Sequence, residues 1–156
     1  MSAKSEVIGR LEAAHDEFRA KIAGLPVEAY NEVWLGTWNL SEVLAHMVGW
    51  FREMAGGFER VGRGERPVPE GVDYSDADAW NAKFSALAKP GKAALVDWDE
   101  AYAAYLGGAR ALSEDLYGVD PEKGRPRIGD RLLQGAGIGH FEEHAPDLDA
   151  WLKSRA

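Results

Sequence analysis

Apolar residues recur along most of this chain at alternating steps of three and four, the spacing that gathers them on one face of an α-helix. Leu11, His15, Phe18, Ile22 and Leu25 form the first such stripe. They predict a helix over about Lys4 to Ala23, closed by Gly24 and Pro26. His15 lies inside the stripe, which predicts partial burial with a hydrogen-bonded partner. A second helix should begin after Gly36-Thr37-Trp38, with Asn39 as its cap and Glu42 in the reciprocal position of a capping box. Its stripe is Val43, His46, Met47, Trp50, Met54 and Phe58, so His46 points inward. The Gly/Arg/Pro stretch from Gly62 to Gly71 then reads as a loop.

A shorter helix is predicted from about Asp76 to Ala88, burying Trp80, Phe84 and Leu87 and stopped by Lys89-Pro90-Gly91. The clearest stripe follows: Leu95, Trp98, Tyr102, Tyr105, Ala109, Leu112 and Leu116, with Asp97 and Glu100 read as cap and first-turn acid and Gly118 as the end. The last helical pattern covers about Asp130 to His144, after which Pro146 should kink the helix or start a fresh turn. No segment alternates with period two, so no strand is predicted. The expected fold is all-α: a single domain over residues 1–156, built as a four-helix bundle with an extra short helix.

Composition narrows the chemistry. The sequence has no Cys, which excludes thiolate ligands, disulfides and a cysteine nucleophile, so any metal must be held by nitrogen and oxygen. A formal net charge of -8 opposes binding to nucleic-acid phosphates and anionic membrane surfaces. No stretch approaches the roughly 18 apolar residues of a membrane span, and the N-terminus carries no export signal, so the expected location is the cytoplasm. Six Trp suggest a large apolar interior or an aromatic-lined pocket, and leave room for a hydrophobic homodimer face.

Against that background the histidines stand out. Two of the four, His140 and His144, sit one helical turn apart in GHFEEHAPDLDAW and share a face, about 6 Å apart along the axis. Two imidazoles do not make a metal site, but the inward His46 on another helix would complete a set of three neutral ligands with a coordination position left open. Each signal has a plainer explanation. A single inward His is commonly a hydrogen-bonded core residue, and HxxxH without the Glu of HExxH is common on exposed faces. Their combination on two helices is the stronger observation.

The segment WNLSEVLAHMVGW, followed some ninety residues later by HFEEH, resembles the DinB-like (YfiT-like) superfamily of metal-dependent proteins. The middle of the chain, from DADAWNAKFSALAKPGKAALVDWDE to LSEDLYG, looks like its ClbS/DfsB (DUF1706) branch. The outline is also similar to mycothiol-dependent maleylpyruvate isomerases. The resemblance implies an up-up-down-down bundle, often dimeric, with a divalent ion on three His, here His46, His140 and His144. It also implies a small-molecule substrate. Co-substrates in such families include low-molecular-weight thiols such as mycothiol or bacillithiol, and other members are self-resistance proteins acting on reactive natural products.

A divalent ion such as zinc, nickel or iron on three imidazoles would keep its charge and make water or a thiol nucleophilic near neutral pH. Glu143, beside His144, and Glu42, one turn before His46, are the candidate proton acceptors, and Asp147 could orient the His144 ring. Trp38, Trp50 and Trp80 could wall an apolar cleft, while Trp98 and Trp151 read as core. Asn81 could offer a hydrogen bond to substrate, and Arg52, Arg125 or Arg127 could hold a substrate carboxylate. These carboxylates and arginines could equally be solvated surface groups. The expected function is a metal-dependent enzyme that transfers a thiol, or adds water, to a small electrophile. The alternative is a sequestering or self-resistance protein whose histidines only bond within the core.

Overall fold

The computed structural model describes residues 2–156. Its frame is made by four long helices, α1 (Ala3–Ile22), α2 (Leu40–Gly62), α4 (Lys92–Ala111) and α6 (Gly139–Arg155), with two shorter ones, α3 (Ala77–Ser85) and α5 (Ile128–Leu133). This is the expected all-α bundle. The stripes read from the sequence meet in its core: Leu11, Phe18 and Ile22 of α1 face Val43, Met47 and Phe51 of α2 and Trp98 and Tyr105 of α4. Trp98 and Trp151 are both buried. No helix among the described residues is long and apolar enough to cross a membrane.

Asn39 and Glu42 form the expected capping box. The Asn39 side chain accepts from the Glu42 N–H at 2.9 Å, and Glu42 Oε1 accepts from the Asn39 N–H at 3.0 Å. The entry to α2 is thereby fixed three residues ahead of Glu42 and seven ahead of His46. Farther along α2, Gly49 lets α3 close on it, because a Cβ there would lie 2.1 Å from the Phe84 ring.

Several expectations are corrected. Two small antiparallel hairpins are present, β1 (Val33–Leu35) with β2 (Trp38–Asn39), and β3 (Val119–Asp120) with β4 (Arg125–Pro126). Strands of two or three residues are too short to show alternation in a sequence. Helix α4 begins at Lys92 rather than at an Asp97 cap, after Gly91 with φ 52°. Asp97 is thus interior to the helix and pairs with Arg52 at 2.9 Å and Lys89 at 3.4 Å. The same helix ends at Ala111, and a short 3-10 turn over Glu114–Leu116 replaces the extension to Leu116. Helix α3 ends at Ser85, leaving Leu87 70% exposed instead of buried.

Pro146 starts no fresh turn, for α6 runs through it to Arg155. The bond it cannot make would have gone to the Glu142 carbonyl, and both residues are on the exposed face, where that oxygen is open to solvent. The last predicted helix is instead interrupted earlier. Between α5 and α6, residues Gln134–Ile138 form a π-turn.

Candidate metal centre

Helix α2 and the start of α6 bring three imidazoles together. One nitrogen from each of His46, His140 and His144 lies within 4.8 Å of the other two. His46 and His140 are buried, and His144 is partly so. The rings stand nearly edge-on, with His46 at 84° to His140 and 71° to His144, and their centroids are 4.7 and 5.2 Å apart. His140 and His144 are themselves 4.7 Å apart, as their one-turn spacing requires.

The closest approach is the informative one. His46 Nε2 and His140 Nε2 are 2.8 Å apart. The other nitrogen of His46, Nδ1, sits against the Val43 carbonyl, and the Ala136 carbonyl is the backbone group that acts on the His140 ring, opposing the loss of its proton. A carbonyl only accepts, so the nitrogen facing it must carry the proton. With Nε2 of His140 turned to His46, the nitrogen left for Ala136 is Nδ1. Both Nε2 atoms then present lone pairs to each other, which is repulsive unless a proton or a cation lies between them.

A shared proton is disfavoured by the surroundings. Burial pushes His46 down to about 2, helped by the neighbouring His140 and His144, with the Val43 carbonyl opposing. Burial also pushes His140 down to about 4, with His144 adding to the effect. His144 is lowered chiefly by burial, against the charges of Glu143 and Asp147. The cluster is therefore three neutral imidazoles at neutral pH, with two backbone-oriented donors converging. That is the donor chemistry of an imidazole metal site.

A cleft of about 340 Å³ opens beside His140. Trp50, Met54, Tyr74 and Leu132 form its apolar wall, and Asn81, Arg131 and Glu143 its polar edge. Of the four residues expected to shape it, Trp50 and Asn81 do so, joined by a hydrogen bond from Trp50 Nε1 to Asn81 Oδ1 at 2.6 Å. Trp80 stands behind Trp50, ring centroids 6.3 Å apart, with its Nε1 donating to the Asp73 carbonyl. Trp38 lies against the His46 ring at 4.7 Å instead.

Glu143 lines the cleft, whereas Glu42 is held in the capping box. Asp147 is exposed and reaches His144 only through its charge. The arginines proposed for a substrate carboxylate are elsewhere: Arg52 pairs with Asp97, Arg127 donates to the Tyr117 carbonyl, and Arg125 lies in β4. Met54, Tyr74, Leu132 and Arg131 were not expected at a site. Only Met54 had a signal, its place on the same α2 stripe as His46. His15 packs away from the cluster, stacked on Tyr102 at 3.6 Å with Nδ1 against Asp16.

This arrangement is a helical bundle of the kind that the resemblance of the WNLSEVLAHMVGW and HFEEH segments implies. No family model matches the sequence, and no curated protein matches it. Solved structures do share the fold. The colibactin self-resistance protein ClbS, in complex with a dsDNA, superposes with a TM-score of 0.79 at 15% identity, over 96% of this chain and 95% of that one. DfsB, described as a sibling lethal factor precursor, gives 0.75 at 18% identity over 99% and 98%. A mycothiol-dependent maleylpyruvate isomerase gives 0.70 at 18% identity, over 95% of this chain but 63% of its own length. At these identities the likeness is one of fold.

Proposed function

We propose that this chain is a divalent-metal-dependent enzyme that transfers a thiol, or adds water, to a small electrophilic molecule. The observation that carries the reading is the pair of Nε2 atoms 2.8 Å apart, with a third imidazole nitrogen within 4.8 Å. His46, His140 and His144 would hold a zinc, nickel or iron ion. When bound, such an ion supplies Lewis acidity that makes water or a low-molecular-weight thiol, such as mycothiol or bacillithiol, nucleophilic near pH 7.

The protein's own groups have separable tasks. The Val43 and Ala136 carbonyls fix the His46 and His140 rings, so the two nitrogens are in place before a ligand arrives. His144, partly exposed beside them, would supply the third nitrogen of the set. Glu143, on the cleft edge, can accept the proton released by a nucleophile. Trp50 and Met54 exclude water from the apolar side of the cleft.

Metal analysis of untagged protein, followed by titration of chelator-treated protein with Zn²⁺ and Ni²⁺, tests the reading. One ion per chain is expected, and His140→Ala should abolish binding while the helical circular dichroism persists. Absence of stoichiometric metal with no rebinding would sink it. The second reading, a sequestering or self-resistance protein, draws on the fold shared with ClbS. It would be favoured if a ligand of the cleft bound equally well before and after chelation.

A further inference from the structure

The cleft carries a cation that the histidine cluster does not use. Arg131, in the last turn of α5, stands on its rim. It takes part in none of the ion pairs among the described residues. One arm is pinned, since Nη1 donates to the Pro126 carbonyl of β4 at 2.7 Å. The remainder of the guanidinium fork stays available for a planar oxyanion, and its orientation is already restrained. Arg52, Arg19, Arg63, Arg110 and Arg155 are by contrast all engaged by carboxylates.

A second donor is fixed on the wall. The indole N–H of Trp50 can only donate, so the Asn81 atom 2.6 Å away is the carbonyl oxygen. The Asn81 –NH₂ is then the end left for a ligand. Tyr74 has its hydroxyl engaged by Glu53 at 2.7 Å and contributes its ring. The cleft therefore offers an aromatic and aliphatic wall, two donor groups, and one carboxylate, Glu143, which repels a second anion. Its volume of about 340 Å³ falls in the ~300–1,000 Å³ range of small-molecule sites.

We propose that the cleft takes a flat apolar molecule bearing a single carboxylate, held by Arg131, with a carbonyl or hydroxyl oxygen on the Asn81 amide. This names the substrate class of the enzyme proposed above and rests on that reading. Arg131 binds; it takes no part in the chemistry at the histidines.

The test uses 2-naphthoate and its neutral isostere 2-naphthamide, titrated calorimetrically into chelator-treated full-length protein at low salt. Chelation removes the other cation that a carboxylate could seek. Wild type should prefer the carboxylate by about tenfold or more, Arg131→Gln should bind the two within about twofold, and Arg131→Lys should keep part of the preference. Both variants should retain wild-type circular dichroism and metal stoichiometry, which separates a lost contact from a lost fold. Equal binding of the two probes, no binding of either below about 10 mM, or a preference that survives Arg131→Gln overturns the proposal. Stoichiometric metal with no charge preference would overturn this inference alone. A preserved preference in a protein that binds no metal would overturn the enzymatic reading and leave the carboxylate site standing.

Discussion

Two carboxylates stand close in sequence to a histidine of the cluster, and their surroundings give them different work. Glu42 is committed to the Asn39 backbone at 3.0 Å, while Glu143 is exposed on the cleft edge. Asn39→Ala should therefore cost about 1 kcal/mol in urea unfolding by removing the cap of α2. Glu42→Gln should cost less, because Gln can fill the same position of the box. Both variants should keep wild-type metal affinity, and a Glu42→Gln protein that lost it would refute the capping assignment. At this scale the sequence was legible wherever a residue's work is local. Asn39 and Glu42 are three apart, and His140 and His144 four apart, so helical geometry alone joins them. Arg131 was not legible, because its role depends on a cleft assembled from α2, α3, the loop at Tyr74 and the π-turn.

The π-turn over Gln134–Ile138 is the element that sets the register of α6 and hence the aim of His140 and His144. Gly137 within it and Gly139 just after it are sterically constrained, whereas Gly135 has open space around it. A Cβ on Gly137 would lie 2.7 Å from Leu11 Cδ1 and 2.8 Å from Tyr105 Oη, and one on Gly139 would lie 2.8 Å from the Gln134 carbonyl oxygen. Tyr105, fully buried in α4, donates to the Leu132 carbonyl at 2.6 Å just before the turn. Burial raises this hydroxyl well above its usual range, so it remains a donor. Tyr105→Phe should thus leave a buried carbonyl unpaired, costing about 1–3 kcal/mol. Because the turn supplies the Ala136 carbonyl that orients His140, the same variant should weaken Zn²⁺ binding by roughly tenfold. Urea unfolding paired with metal titration separates the two effects, and an unchanged affinity would show that Tyr105 only packs. From sequence, the hydrophobic spacing over Asp130–His144 reads as one unbroken helix. The Gly135, Gly137, Gly139 run was the available sign of irregular backbone, since glycine weakens an ordinary helix interior.

For the whole molecule, the bundle was readable because each long helix carries its own apolar stripe, while the hairpins were not, having too few residues to show a period. The same bundle makes the protein sensitive to acid through its interior. Two histidines are enclosed as neutral rings with His144 partly buried beside them, whereas in the unfolded chain each ionises with a pKa of about 6.5. His46 is held down at about 2 and His140 at about 4, both chiefly by burial. Above pH 6.5 neither state binds protons there, and their contribution to stability is complete. As pH falls below 6.5 the unfolded chain gains protons that the folded chain refuses, so stability declines, on the order of 1 kcal/mol per pH unit for each buried ring, until the folded pKa is reached. This window opens above the range of ordinary carboxylates, which titrate near 4. Metal-free protein should accordingly show a falling urea midpoint from pH 7 to pH 5, and His46→Leu, which removes one of the two deeply buried rings, should flatten that decline. Zn²⁺ bound only by the folded state should raise stability and shift the onset of acid unfolding to lower pH. A metal-free wild type whose midpoint is the same at pH 7 and pH 5 would mean that the rings accept protons in place, and the account of three neutral, converging imidazoles would fall with it.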